Sequence, residues 1–341
     1  MEPALVMPMN ITCLIPTYNR PILLERALFS VLQQNYENVV VHIGDNSSDE
    51  ESMTVANSFA SKLVIKYFKH RINIGWSKNF RFLYDSVETK YYHILSDDDM
   101  LAPNFYIELE KLSRRDQDSS FFCFRTLVVN LPSARCSVLS ADWQGGVYQP
   151  SIATVRKLAT SHFCSTGVIY DKQKIVSNPL VCDPIGSDQA ALMRLGCMYS
   201  FTVSQSIGAI FFVDDQNMRW SSKLSISDGA RILEQQLSRL CGFSCIDSAN
   251  REAEIQVAKL YANIFISLIN DDLDSQAKSR MSQKNRICLG LGRYYASARR
   301  KVRFFLGKVG FARYFDKHEL LRLGNSELAW DILSKKIARS S

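Results

Sequence analysis

Three consecutive carboxylates, Asp97-Asp98-Asp99, follow an apolar run at Tyr91–Leu95. Like charges packed this closely repel one another. A divalent cation gives a reason to gather them, because hard oxygen ligands on a turn suit Mg2+ or Mn2+ bridging to phosphate oxygens. The competing reading is an acidic turn facing water. Asp45 follows a second apolar run, Val39–Ile43. A carboxylate there can accept from a base N–H or a ribose hydroxyl, or it can close an Asx-turn. Thr17-Tyr18-Asn19-Arg20 follows a third run, Ile11–Ile15 with Pro16, and leads into Pro21, which suits the first turn of a helix. Backbone N–H groups at a helix start, with the Arg20 cation beside them, suit a pyrophosphate. A plain strand–helix connection would carry the same residues.

The elements that must position these groups alternate. Ile11–Ile15, Val39–Ile43, Leu63–Phe68 and Tyr91–Leu95 read as short strands. Between them, Leu24, Ala27, Leu28 and Val31 recur at helical spacing, as do Phe80, Leu83, Tyr84 and Val87, and Asn104–Leu112 is helical again. Ser48 with Glu51 makes a capping-box pattern for a further helix. Alternation of this kind predicts βαβ units and a mostly parallel sheet. Ligands of such sheets bind beyond the carboxyl ends of the strands, and all three polar clusters fall there. From Phe121 to about Phe212 the pattern is less regular, with strand-like Gly167–Tyr170 and Ser206–Val213 and a helix from Ser187 to Leu195. After Trp220 the signals are helical, over Ala230–Leu240 and Ala249–Ile269. The expected organisation is an α/β domain over 1–220 and a helical, basic region over 221–341.

The chain has 341 residues, 46% hydrophobic and 22% charged, enough apolar content for a large packed core. No apolar run approaches the ~18–20 residues that span a bilayer, and Met1–Asn10 has no basic, apolar leader pattern. A cytoplasmic protein, peripheral at most on the inner face of the membrane, is expected. Nine scattered cysteines, the closest pair being Cys241 and Cys245, read as reduced thiols and not as a disulfide framework or zinc site. Net charge is +7, yet the segment 275–315 alone holds eleven Lys and Arg and no Asp or Glu. The rest of the chain is therefore net acidic, which speaks against a nucleic-acid partner for the main domain.

Five motifs in order carry a family resemblance. Ile11-Thr12-Cys13-Leu14-Ile15-Pro16-Thr17-Tyr18-Asn19-Arg20 resembles the opening strand and loop of family 2 glycosyltransferases. Ser30-Val31-Leu32-Gln33-Gln34-Asn35-Tyr36 is similar to the family's next segment, and Gly44-Asp45-Asn46-Ser47-Ser48-Asp49 to its nucleotide-binding turn. Asn73-Ile74-Gly75 with Asn79, and Asp97-Asp98-Asp99 with Pro103, complete the set. The resemblance is clear over Met9–Leu112 and weaker to about Trp220. It implies a GT-A fold, meaning a Rossmann-like, mostly parallel sheet flanked by helices, here with a C-terminal helical appendage.

The resemblance also implies roles. Pro16, Thr17, Tyr18, Asn19, Arg20, Asp45, Asn73 and Asp97 would bind the nucleotide sugar, with Asp45 on the base and Asp97 on the ribose. Asp98 and Asp99 would hold Mg2+ or Mn2+ on the diphosphate. A catalytic carboxylate is expected on a later helix, and Gly186-Ser187-Asp188-Gln189 resembles that segment. Asp188 is the candidate base and Asp183 its competitor. Many members have Glu where Ser187 stands, and His where Asp214 stands. The implied reaction is inverting transfer from a nucleoside diphosphate sugar, a UDP-sugar by expectation, to a glycan or lipid-linked acceptor. A role in bacterial polysaccharide or lipopolysaccharide assembly follows by resemblance.

The basic segment 275–315 interleaves its charges with Tyr294, Tyr295, Phe304, Phe305, Phe311 and Tyr314, a pattern suited to an anionic membrane surface. A nucleic-acid- or membrane-binding protein on a catalytically inactive fold of the same type is the rival class. A dehydrogenase fits poorly, because Gly290-Leu291-Gly292 lacks a third glycine and lies far from the first strand. A nucleotidyltransferase should carry a glycine-rich loop after the first strand, and Thr17–Arg20 has no glycine.

Overall fold

The structure, a computed structural model, describes residues 9–175, 187–213, 250, 252–257 and 260. Along the chain these form β1 (Ile11–Thr17), α1 (Pro21–Leu32), β2 (Val39–Asp45), α2 (Glu51–Phe59), β3 (Val64–Lys69), α3 (Trp76–Asp85), β4 (Tyr91–Ile94), β5 (Met100–Leu101) and α4 (Phe105–Arg115). There follow β6 (Phe121–Asn130), β7 (Arg135–Leu139), β8 (Gly146–Tyr148), α5 (Ile152–Thr160), a 3-10 turn at Ser165–Gly167, β9 (Val168–Asp171), α6 (Ser187–Met198) and β10 (Phe201–Val213).

One sheet runs β3-β2-β1-β4-β9-β6-β10-β5, with β7 added beside β6 and β8 beside β10. The β3, β2, β1 and β4 strands are mutually parallel. β9 pairs antiparallel with both β4 and β6, and β10 is parallel to β6. Six of the ten described strands therefore point the same way, and the expected mixed, mostly parallel architecture holds.

Strand alternation sorts side chains onto two faces. Ile11, Cys13 and Ile15 join Leu24, Ala27 and Leu28 of α1, Ala56 and Phe59 of α2, and Phe105, Tyr106 and Leu109 of α4 in one buried cluster. Leu14 faces the other way, into a cluster with Phe80, Leu83 and Tyr84 of α3, Val155 and Leu158 of α5, and the apolar face of α6. Helices on both faces bury β1, β2 and β4 twice, which is why these strands read as nearly continuous apolar runs.

Two consequences matter for the site. The chain leaves β1 on one side, through α1 to β2, and returns to its other side through α3 to β4. The strand order thus reverses about β1, and the carboxyl ends at such a reversal are where sheets of this kind bind ligands. Secondly, β1 and β2 each run two residues past the apolar pattern, and the last ladder pair is Thr17 opposite Asp45. Backbone pairing among β1, β2 and β3 carries the ladder into polar residues that hydropathy alone would end on.

Elsewhere the structure adds β6, β7, β8 and α5, and β10 begins at Phe201, five residues before the expected start. The Ser48–Glu51 capping box does not form: α2 begins at Glu51 itself, and Asp49 Oδ1 accepts from the Glu51 N–H at 3.1 Å. Residues 252–257 are helical, and Ala253 and Val257 pack into the cluster that holds α5 and α6. Ion pairs tie them down, Arg156–Glu252 at 2.9 Å and Arg194–Glu254 at 2.7 Å. Cys13, Cys123 and Cys164 are buried, reduced thiols. Among those residues no helix is long and apolar enough to cross a membrane. The boundary near 220, Asp183, Asp214, Cys241, Cys245 and the basic segment 275–315 lie outside the described residues.

Candidate active site

The carboxyl ends of β1, β2 and β4 bring three polar clusters to one edge of the sheet. Asp97 follows β4 and is 1% exposed. Its Oδ2 accepts from Thr17 Oγ1 at 2.8 Å, and its Oδ1 pairs with Arg20 Nη2 at 2.7 Å. Burial pushes the Asp97 carboxyl above its usual range, opposed by the Arg20 charge and reinforced by Asp98. Arg20 also reaches Asp98, with Nη1 3.2 Å from Oδ2. The Asp98 backbone carbonyl accepts from Arg26 Nη2 at 2.5 Å, and the Arg26 guanidinium lies 4.1 Å over the Phe212 ring.

Asp99 is buried on the other side of the turn. Its Oδ2 accepts from Thr166 Oγ1 at 2.7 Å. Its Oδ1 is buried and makes no hydrogen bond of good geometry. Burial, then the charge of Asp98, pushes this carboxyl far above its usual range; the nearby Phe212 backbone is the weakest of the groups that oppose it. An orphaned carboxylate oxygen beside a second carboxylate fits a hard divalent cation. Among the described residues there is no group of three or more His, Cys, Asp or Glu that could hold a metal. A cation would take Asp98 and Asp99 from the protein and complete its shell with phosphate oxygens and water, the usual pattern for Mg2+.

Asp45 is fully buried and does close an Asx-turn, its Oδ1 accepting from the Ser47 N–H at 2.7 Å. Its Oδ2 accepts from Tyr67 Oη at 2.5 Å and Lys69 Nζ at 2.9 Å. Burial raises the carboxyl, but the Ser47, Tyr67 and Lys69 donors outweigh it and hold Asp45 below its ordinary range. These donors fix the orientation of the Asp45 carboxylate at the end of β2. The β1–α1 loop interlocks with this turn: Asn19, in the left-handed conformation at φ 52°, donates its N–H to Ser47 Oγ at 2.7 Å. Tyr18 between them is 45% exposed, an open aromatic face at this edge. The helix start at Arg20–Pro21 has no side-chain cap and no acidic residue in its first turn, which leaves its N–H groups for an anion.

The β3–α3 loop closes the other rim. Asn73 Oδ1 accepts from the Gly75 N–H at 2.8 Å, and Gly75 sits at φ +81°, a conformation that suits glycine. Asn79 Nδ2 donates to the Gly44 carbonyl at 2.7 Å, and Ile74 N–H donates to Asn46 Oδ1 at 3.2 Å. A Cβ on Gly44 would come within 2.1 Å of Asn79 Oδ1, so only glycine admits this approach of α3 to β2.

Asp188 occupies the first turn of α6 and is partly exposed. The helix dipole favours its charge there. Burial raises the Cys164 thiol, and the charges of Asp99 and then Asp188 raise it further. Both carboxylates thus lie within electrostatic reach of one loop, Cys164–Gly167, whose Thr166 holds Asp99. The structure therefore gathers Thr17, Arg20, Asp97, Asp98 and Asp99 and sets Asp45 at the neighbouring strand end; Asp188 stands apart from them on α6. His42 and His93 are buried strand residues that take no part. Sequence pattern did not single out Arg26, Tyr67, Lys69 or Thr166, which act across long chain separations.

Residues 12–175 match the family model described as Glycosyl transferase family 2. A glycosyltransferase of Rickettsia felis is 36% identical over 104 residues, covering 28% of this chain and 17% of that protein. Another, from Rickettsia prowazekii, is 29% identical over 94 residues, covering 28% of this chain and 29% of that protein. The matched segment is thus under a third of either relative. Among solved structures, S. aureus TarS 1-349 in complex with UDP-GlcNAc superposes with a TM-score of 0.57 at 14% identity, covering 98% of this chain and 93% of that one. The same TarS fragment in complex with UDP gives 0.54 at 15% identity, covering 82% and 77%. The fold is that of the GT-A glycosyltransferases.

Proposed function

We propose that the chain transfers a sugar from a nucleoside diphosphate sugar, a UDP-sugar, to an acceptor hydroxyl with inversion. The observation that carries this is the convergence of Thr17, Asp97 and Arg20 at the point where strand order reverses, with Asp45 one strand away. TarS, of the same fold, binds UDP and UDP-GlcNAc in its solved complexes, and residues 12–175 match a glycosyl transferase model. Asp45 accepts from the base, Tyr18 stacks on it, Asp97 accepts from the ribose, and Asn73 lines the rim. Pro16 and Asn19 shape the loop around the nucleotide, and Arg20 with the start of α1 faces the diphosphate. Asp98 and Asp99 would hold Mg2+ or Mn2+, which when bound neutralises charge on the leaving diphosphate.

Asp188 takes the proton of the acceptor hydroxyl as that oxygen attacks the anomeric carbon. The C–O bond to the diphosphate breaks in the same displacement, so configuration inverts. Positive charge gathers on the ring as it does in glycoside hydrolysis. The acceptor is a glycan or a lipid-linked glycan of the bacterial surface, and the basic segment 275–315 would hold the enzyme at an anionic membrane. The reaction is followed by UDP release from a panel of UDP-sugars with membrane-derived acceptors. Asp188→Asn should lose roughly 10²–10⁴-fold in turnover while still binding UDP. Near-normal turnover in Asp188→Asn would overturn the base assignment.

A further inference from the structure

The Arg20 guanidinium spans two carboxylates unequally. Its contact to Asp97 is the shorter, at 2.7 Å, and Asp97 is 1% exposed; its contact to Asp98 is 3.2 Å, and that side chain is 22% exposed. The Arg20 side chain itself is 34% exposed, so it reaches solvent on the side away from Asp97. A guanidinium fork can grip two acceptors at once, so the present geometry satisfies both carboxylates without any other cation. A divalent ion on Asp98 would have to share that carboxylate with the Arg20 charge on Oδ2, which Coulomb repulsion opposes.

We propose that Arg20 is a resident counter-cation that holds Asp98 until a diphosphate offers it another partner, so that nucleotide binding precedes metal binding. The inference rests on the reading of Asp98 and Asp99 as the metal-holding pair and adds to it the order of assembly. Arg20 gives up the weaker Asp98 contact, keeps Asp97, and turns its second nitrogen to the phosphates. The site is thereby closed to free cation while it is empty of donor.

The test is Mn2+ binding to the full chain, read from the electron paramagnetic resonance signal of free Mn2+. In the absence of nucleotide, Arg20→Gln should bind Mn2+ about tenfold more tightly than wild type, as removal of a competing unit charge implies. Arg20→Lys keeps a charge beside buried Asp97, so its fold is protected, but lacks the fork; its affinity should fall between the two. Adding Asp98→Asn to Arg20→Gln should abolish the gain. Saturating UDP should bring wild type up to the Arg20→Gln level. A gain of affinity is not a result that a merely structural role for Arg20 would give. Equal Mn2+ affinity in wild type and both Arg20 variants, lost in Asp98→Asn, overturns the proposal and leaves the metal pair standing. No Mn2+ binding in any of these proteins, with or without UDP, overturns both.

Discussion

Thr17 Oγ1 lies 2.8 Å from Asp97 Oδ2, joining the last residue of one strand to the first carboxylate beyond its neighbour across 80 residues of chain. Both groups are buried. The bond fixes the Asp97 carboxylate before any ligand arrives, as preorganisation requires.

Thr17→Val removes the donor and leaves a buried carboxylate oxygen short of a partner, at a cost of about 1–3 kcal/mol. Urea denaturation should show that loss, and UDP affinity measured by calorimetry should fall together with it. Thr17→Ser restores the hydroxyl and should recover most of both. A Thr17→Val protein as stable as wild type would mean that the bond is not formed in solution.

Tyr67 and Lys69 aim Asp45 from the adjacent strand. Tyr67→Phe should cost about 0.5–1.5 kcal/mol of stability. It should weaken UDP more than it destabilises the fold, because Asp45 loses orientation as well as a hydrogen bond. Calorimetric titration of UDP at a temperature well below unfolding separates the two effects.

Gly44→Ala sets a methyl against the Asn79 amide, 2.1 Å from Oδ1 before any relaxation, with Leu83 Cδ1 at 3.0 Å. Overpacking of this kind costs roughly 1–3 kcal/mol. In an Asn79→Ala background most of that cost should vanish, since the clashing atom is gone. Additive losses in the double variant would contradict the close approach of α3 to β2.

Burial, the largest cause in each case, lowers His42 to about 4 and His93 to about 3. The unfolded chain takes up these protons near the ordinary value of about 6.5, before the folded one does. The stabilisation from keeping both rings neutral is therefore fully present above about 6.5 and is lost as pH falls towards 4. Buried Asp97, raised to about 7, and Asp99, also raised, contribute with the opposite sign throughout that range. The histidine share is read as a difference: between pH 6.5 and 4, stability should fall more steeply in wild type than in His42→Gln. Parallel pH profiles would show that His42 is not held neutral.

The site was legible where its chemistry sits on one strand end. Asp45, Thr17–Arg20 and Asp97–Asp99 each follow an apolar run, and that local signal alone fixes their edge of the sheet. Their partners were not legible. Thr166 meets Asp99 across 67 residues and Arg26 meets the Asp98 carbonyl across 72, and nothing in a single sequence ties such pairs together. Lys69 ends a strand whose pattern merely reads as an edge, so its pairing with Asp45 shows only once the register of β2 and β3 is known. The later strands were harder still. β7 and β8 are short strands on the outside of the sheet with exposed residues, and they carry no buried-run signal of the kind that marks β1, β2 and β4.

The most direct test of the donor site is a thermal-shift panel of nucleoside diphosphates on the full chain, each with Mn2+, with Mg2+ and with chelator. A ligand that binds only the native state raises the melting temperature, by the equivalent of about 2.7 kcal/mol at a hundred times its dissociation constant. UDP with Mn2+ should give the largest shift. Chelator should reduce it, and Asp45→Asn and Asp97→Asn should each remove most of it. No shift with any nucleotide under any metal condition, or a UDP shift unchanged in both variants, would contradict the assignment of this site to a nucleotide sugar.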